Sequence, residues 1–148
     1  MKIPPLIQMA ICCVIAFALA TYLPLYSFEA HWLVVVTVGL AGTLFLLPAV
    51  FSFAKQNTTV NPQTPGATTT LVTKGVYGVT RNPMYVGMLL LILAFALWAG
   101  DAGASVAAMI FFLTIDRIQI RREEESLRQI FGPAFEEYAE RVPKWLFV

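Results

Sequence analysis

Long uncharged apolar stretches, separated by short polar segments, dominate this chain. A helix needs roughly 20 mostly apolar residues, or about 17 at the short end, to cross a bilayer. Four stretches approach that length, and the last includes Asp116 and Arg117 in its final turns. A turn of only four residues, Gly100 to Gly103, predicts that the last two helices form a tight antiparallel hairpin. We therefore predict an all-α integral membrane protein with four spans, at about residues 6–23, 32–54, 84–100 and 102–120.

The positions of the cations predict the orientation of these spans. Nine of the ten Lys and Arg residues lie before the first span, between the second and third, or after the fourth, and the tenth, Arg117, lies near the end of the fourth span on that same side. Because Lys and Arg are retained in cytoplasmic loops, we expect both termini to be cytoplasmic. A second interpretation takes Met1 to Ala20 as a cleaved signal peptide, since Ala18 and Ala20 provide small residues at a possible cleavage site.

The amino-acid composition excludes several other classes of protein. Hydrophobic residues make up 58% of the 148 residues and charged residues 13%, with a formal net charge of +1. This balance is unlike that of disordered chains and nucleic-acid binders, and two cysteines do not make a disulfide scaffold. The sequence shows no spacing typical of metal ligands, so we expect no metal site and no nucleic-acid partner.

The segment 55–83, between the second and third spans, differs from the other loops. Its first part is polar, and its second part contains Gly75, Gly78 and Pro83, which interrupt regular structure. Asn82 is placed to be the N-cap of the third helix and Pro83 its first residue. With Arg81 beside it, this helix start is suited to an anionic group. The alternative is that Arg81 is only an anchor on the positive side of the membrane.

The C-terminal tail, 121–148, is amphipathic and predicts two short helices separated by Gly132 and Pro133. Glu123 falls on its apolar stripe, and a carboxylate in that position requires a partner. The predicted hairpin brings Arg81, Tyr85 and the Glu123–Glu124 pair together on the cytoplasmic side. A surface helix lying on the membrane is the alternative for this tail.

Two motifs in this order are specific. Arg81-Asn82-Pro83-Met84-Tyr85-Val86-Gly87, a hydrophobic hairpin and the Glu123–Glu124 pair resemble the integral-membrane methyltransferase family of isoprenylcysteine carboxyl methyltransferases and phosphatidylethanolamine N-methyltransferases. In particular, the chain looks like the small bacterial branch of this family, and this resemblance implies a bacterial inner membrane. Asn82 stands where the family motif has His, and Phe135 where Tyr is frequent. We therefore expect no role that needs an imidazole at position 82, and we expect a hydroxyl at position 135 to be dispensable or replaced by another group.

The length predicts a single domain over residues 1–148, and the resemblance, which covers about residues 71–145, implies that this domain is a methyltransferase that uses S-adenosylmethionine. By the same resemblance the catalytic residues are Arg81, Glu123 and Glu124. Arg81 would bind the methionyl carboxylate or the acceptor, and the glutamates would bind the ribose or amino group or hold Arg81 in place. The residues implied in cofactor binding are Leu71, Gly75, Tyr77, Arg81, Asn82, Pro83, Tyr85, Gly87, Glu123 and Glu124.

The expected acceptor is a lipid or another small lipophilic molecule, reached from the surrounding membrane lipids. A carboxylate acceptor needs no general base, whereas a protonated amine needs a glutamate to take its proton. Two other functions stay open: a membrane reductase that uses a nicotinamide cofactor, and a non-enzymatic protein with four spans.

Overall fold

The computed structural model describes residues 4–55 and 70–146. Within them the chain is helical, with an isolated antiparallel bridge between Ser27 and Asp101 but no extended strand. The all-α class is therefore confirmed. The elements are α1 (Pro5–Tyr22), α2 (Trp32–Lys55), a 3-10 turn (Gly75–Gly78), α3 (Pro83–Ala99), α4 (Ala104–Thr114), a π-helical segment (Ile115–Ile120), α5 (Arg121–Phe131) and α6 (Pro133–Arg141).

The predicted bounds hold to within one residue for α1, α2 and α3. The fourth predicted stretch, at about 102–120, corresponds to α4 and the π-helical segment, and its helix begins two residues later than that bound. Ala102 and Gly103 belong to the preceding turn, and after Ile120 the helical backbone continues into α5. The π-helical segment, in which hydrogen bonds span five residues instead of four, was not predicted from the sequence. Of the predicted cofactor loop 55–83, residues 56–69 lie outside the described residues.

Two helices are long and apolar enough to cross a membrane by length and composition, Pro5–Tyr22 and Trp32–Ser52. α3 is also apolar but has 17 residues. Only 11% of each candidate span is buried inside the protein, so large apolar side chains such as Val14 and Leu44 are exposed. Exposed apolar surface of this kind is suited to lipid, which supports association with a membrane.

The described residues divide into two compact units. The first is Met1–Leu44 with Gly87–Ile115, and the second is Phe45–Val86 with Asp116–Val148. In the first unit α1 packs against α4, and small residues are buried in both helices. Ala16, Ala104 and Ala107 are completely buried, which lets the two helices approach closely.

A second close approach in this unit involves Gly42 of α2. A Cβ at Gly42 would lie 3.0 Å from the carbonyl oxygen of Gly87, closer than side chains normally come to backbone. The absence of a side chain at Gly42 therefore allows α2 to pack closely against α3 at this point. Gly87, which the resemblance placed near the cofactor, is thus a contact point for another helix.

Asp101 organises the turn between α3 and α4. Its side chain is buried, with 2% exposure, and accepts hydrogen bonds from the backbone N–H groups of Leu25, Tyr26 and Gly103. The turn also needs Gly100, which has a φ of +66° and sits so close to Phe28 that a Cβ would collide with its carbonyl. The hairpin turn was predicted, but its buried carboxylate was not.

The second unit has two apolar clusters. One joins Ala49 near the end of α2 to Val72 and Tyr77. The other contains Phe135, Tyr138 and Val142, with Leu71, Leu127, Phe131 and Ala139 packed against it. The segment 70–78 contributes to both clusters, so it links α2 to the C-terminal helices within this unit.

Replacing Asp101 by alanine leaves three backbone N–H groups without their carboxylate acceptor. Because hydrogen bonds to charged groups are strong and unpaired buried donors are costly, we expect the free energy of unfolding to fall by about 2 to 4 kcal/mol. Denaturant unfolding in detergent measures this loss. Glu29→Gln is the control, because Glu29 is an exposed acid in the loop between α1 and α2. Equal stability of the two variants would contradict the assigned role.

Candidate functional site

The candidate site is a cavity of about 50 Å³ in the second unit. It is lined by segment 70–82 and by α5 and α6. The described residues that line it are Thr70, Leu71, Val72, Tyr77, Arg81, Asn82, Glu123, Glu124, Leu127, Phe135 and Tyr138. Two carboxylates, a guanidinium and aromatic side chains therefore meet around one apolar-walled space.

The segment before α3 is shaped by short-range hydrogen bonds. The Thr80 hydroxyl, fully buried, accepts the Asn82 N–H at 3.2 Å. The helix then begins at Pro83, and the Asn82 carbonyl accepts the N–H groups of Tyr85 and Val86. The predicted position of Asn82 before the helix is confirmed. Its side-chain amide, however, donates to the carbonyl of Lys144 at 3.0 Å.

Arg81 is bonded within the protein on every nitrogen of its guanidinium. Nε and Nη2 donate to Glu124 Oε1 at 3.2 and 2.8 Å. Nη1 donates to the carbonyls of Ala139 and Val142, both at 2.7 Å. The Arg81 and Glu124 side chains are only 13% and 14% exposed, so their charges compensate each other in a nearly closed environment.

Glu123 has a different environment, because its partners are uncharged. Its Oε1 accepts hydrogen bonds from the Tyr85 hydroxyl and from Gln119 Nε2, each at 2.7 Å. Burial raises the pKa of Glu123, and these two hydrogen bonds only partly oppose that effect. The sequence predicted that Glu123 needs hydrogen-bond partners, and the structure shows that these are a phenol and an amide.

Three aromatic rings form much of the remaining wall. The Tyr138 hydroxyl donates to the Tyr77 carbonyl at 2.7 Å, and burial raises the pKa of Tyr138 to about 12. Burial also raises the pKa of Tyr77, with smaller contributions from the charges of Tyr138 and Glu123. The phenols of Tyr77 and Tyr138 therefore stay protonated near neutral pH.

Phe135 is fully buried, packs edge-on against Tyr138 and lies under the Arg128 guanidinium.

The structure brings six of the predicted site residues to the cavity wall: Leu71, Tyr77, Arg81, Asn82, Glu123 and Glu124. Tyr85 is buried behind the wall and is linked to it through Glu123. Gly75, Pro83 and Gly87 are not among the lining residues. Gly75 lies at a turn with a φ of +67°, and Pro83 is buried at the start of α3.

Five lining residues were missing from the predicted set: Thr70, Val72, Leu127, Phe135 and Tyr138. The apolar stripe of the tail offered a signal for the last three. Leu127 shares that stripe with Glu123, and Phe135 and Tyr138 are three residues apart on α6 and so lie on one face. Within 4–55 and 70–146, no group of three or more His, Cys, Asp or Glu side chains is arranged to hold a metal ion.

The described residues thus include two helices long and apolar enough to cross a membrane, and a cavity lined by two carboxylates, a guanidinium and aromatic rings. The sequence model of the phospholipid methyltransferase family matches residues 30–134. This chain belongs to that family. Membership indicates a membrane-associated methyltransferase and confirms the resemblance found in the sequence.

Two relatives are similar over shorter stretches. An uncharacterized protein of Haemophilus influenzae is 41% identical over 63 residues, which is 43% of this chain and the whole of that relative. Protein-S-isoprenylcysteine O-methyltransferase B of Arabidopsis thaliana is 34% identical over 73 residues, which is 49% of this chain. The match spans 37% of the plant protein's length. No solved structure matches the chain significantly.

The raised pKa of Glu123 predicts that stability depends on pH. Above the ordinary glutamate pKa of 4.5, the unfolded chain releases this proton while the folded protein still holds it. The free energy of unfolding should therefore fall as the pH rises from 4.5 through the raised folded value.

Glu123→Gln removes this titration and keeps an oxygen for both hydrogen bonds, so its pH profile should be flatter in that range. Glu125→Gln, which changes an exposed neighbour, should keep the wild-type profile. Denaturant unfolding at a series of pH values measures all three proteins. Identical profiles for wild type and Glu123→Gln would exclude this role of Glu123.

Proposed function

We propose that this protein transfers a methyl group from S-adenosylmethionine to a lipid or another small lipophilic acceptor at the cytoplasmic face of a bacterial inner membrane. The observation that carries the proposal is the cavity in which the buried carboxylate of Glu123, without a cationic partner, faces aromatic walls. Family membership supplies the reaction class, and the cavity's charges and rings are suited to a cationic methyl donor.

The charges in the cavity favour a cation. Arg81 and Glu124 neutralise each other, which leaves Glu123 as the uncompensated acid among the described lining residues. S-adenosylmethionine, when bound, supplies a methyl group activated by a positively charged sulfur. A cation beside Glu123 would favour its ionised form and oppose the effect of burial on its pKa. Attraction between the two would therefore compensate for the cost of burying the carboxylate.

The aromatic walls support the same proposal. Cations bind to the faces of aromatic rings within about 6 Å of the centroid. Tyr77, Phe135 and Tyr138 line the cavity, and one side of Phe135 already carries the Arg128 guanidinium at 5.5 Å. Arg128 is itself held by Glu136 at 2.9 Å. Tyr77 and Tyr138 are thus the rings that we assign to the donor.

The size of the cavity sets a condition on binding. A cavity of about 50 Å³ accommodates a few water molecules, since one water needs about 10 to 15 Å³ on this measure. A nucleoside is much larger, so the lining side chains must separate when the donor binds. The groups available for contact remain the same carboxylates and rings, which fit the donor's amino, ribose and sulfonium groups by their chemistry.

Methyl transfer of this kind depends mainly on holding donor and acceptor in line. Both hydrogen bonds to Glu123 are accepted by its Oε1, so we propose that its Oε2 contacts the methyl donor and the acceptor. With an amine acceptor this oxygen takes the proton that the amine must lose, and with a carboxylate acceptor no base is needed. The exposed apolar surfaces of α1 and α2 support an acceptor that arrives from the lipid phase.

We further propose four crossings, in which α3 and the helix that begins with α4 form the second pair. The distribution of the ten cations supports this topology with both termini cytoplasmic.

Isothermal titration of the detergent-solubilised protein with S-adenosylmethionine and S-adenosylhomocysteine tests the proposal. We expect micromolar binding by wild type and at least tenfold weaker S-adenosylmethionine binding by Glu123→Gln, a change of about 1.4 kcal/mol. Glu125→Gln should bind like wild type, because Glu125 is exposed and is not among the lining residues. Absence of binding by a folded, monodisperse wild type would overturn the proposal, and a nicotinamide cofactor would be titrated next.

A further inference from the structure

The segment Thr80–Asn82 binds the end of the C-terminal tail through backbone carbonyls. The backbone N–H of Arg81 donates to the Pro143 carbonyl at 2.9 Å. The Thr80 hydroxyl and the Asn82 amide both donate to the Lys144 carbonyl, at 2.9 and 3.0 Å. Together with the two bonds from Arg81 Nη1, five hydrogen bonds connect three consecutive residues to carbonyls between residues 139 and 144.

The guanidinium of Arg81 has little capacity left for a ligand. A guanidinium has five N–H donors, and four of them are used within the protein. Bidentate binding of a carboxylate needs two parallel N–H groups. Arg81 would therefore have to break its hydrogen bonds to Glu124 or to the tail in order to bind a ligand in this way. Two of the four bonds go to Ala139 and Val142, at the end of α6, where carbonyls lack partners within the helix.

α6 carries part of the cavity wall. Phe135 and Tyr138 line the cavity and are buried together with Val142. The position of these rings depends on where α6 lies, and its C-terminal end is bonded to Arg81. Arg81 is therefore connected to the helix that carries both rings, by contacts that involve no ligand.

We propose that Arg81 is a positioning residue, which holds α6 and its two cavity-lining rings in place for the methyl donor instead of pairing with the donor's carboxylate. Glu124 fixes the guanidinium for this task, and Asn82 assists by donating to Lys144. An amide serves as this donor, so no imidazole is required at position 82. The effect on the donor rests on the proposed function, whereas the attachment of the tail does not.

Binding of two methyl donors distinguishes the alternatives. Wild type and Arg81→Gln are titrated with S-adenosylmethionine and with its decarboxylated analogue, which lacks the methionyl carboxylate. A positioning role predicts that the substitution weakens both donors by the same factor, of about tenfold. Loss of affinity for S-adenosylmethionine alone would overturn the proposal, because it would show that Arg81 binds the carboxylate. Arg141→Gln, an exposed cation at the end of α6, should change neither affinity.

Hydrogen–deuterium exchange without ligand tests the attachment of the tail directly. Arg81→Gln should increase amide exchange across residues 133–146 by at least tenfold, and Arg81→Lys should restore part of the protection. Asn82→Asp, which replaces the donor by an acceptor, should also increase exchange, and it serves if Arg81→Gln does not fold. Unchanged exchange in Arg81→Gln or Asn82→Asp would overturn the proposal. If wild type binds neither donor, the proposed function fails, while these exchange rates still decide the role of Arg81.

Discussion

The Arg81 guanidinium joins the start of α3 to α5 through Glu124 and to α6 through two backbone carbonyls. Few side chains can do this, because it takes a planar cation with donors pointing in several directions. Since Arg81 and Glu124 compensate each other, both can lie in a nearly closed environment. The rest of the cavity depends on this arrangement: once α5 and α6 are held, the remaining carboxylate and the aromatic rings have defined positions.

Glu123 sets the second constraint on the cavity. A carboxylate on an apolar helix stripe costs free energy unless it is bonded, and here a phenol and an amide from other positions satisfy one of its oxygens. Neither partner carries a charge, so the burial of Glu123 remains partly uncompensated and its pKa is raised. Binding sites often retain such an unfavourable group because a ligand of opposite charge relieves it. This is why we propose that the cavity binds a cationic ligand.

The helices were predictable from the sequence because apolar stretches of membrane length leave few other structures. The contact between Arg81, Tyr85 and the two glutamates was also predictable, since a short hairpin returns the chain to the side from which it started. The uses of individual side chains were not. The contacts of Asn82 and Arg81 depend on the path of the backbone through residues 139–144. That path decides whether the Asn82 side chain caps its helix or donates to Lys144, and whether Arg81 contacts a ligand or the tail. No periodic pattern in the sequence specifies it. The π-helical segment before α5 was missed for a similar reason, because its register depends on packing.

The most direct test of this account is a structure of the protein with S-adenosylhomocysteine bound. We expect the ligand's thioether sulfur between Tyr77, Tyr138 and the Glu123 carboxylate, with the cavity opened around it. The Arg81 guanidinium should still contact Glu124 and the carbonyls of Ala139 and Val142. A ligand bound away from these side chains would contradict the assignment of the cavity. A guanidinium turned from the tail onto the ligand's carboxylate would contradict the role that we assign to Arg81.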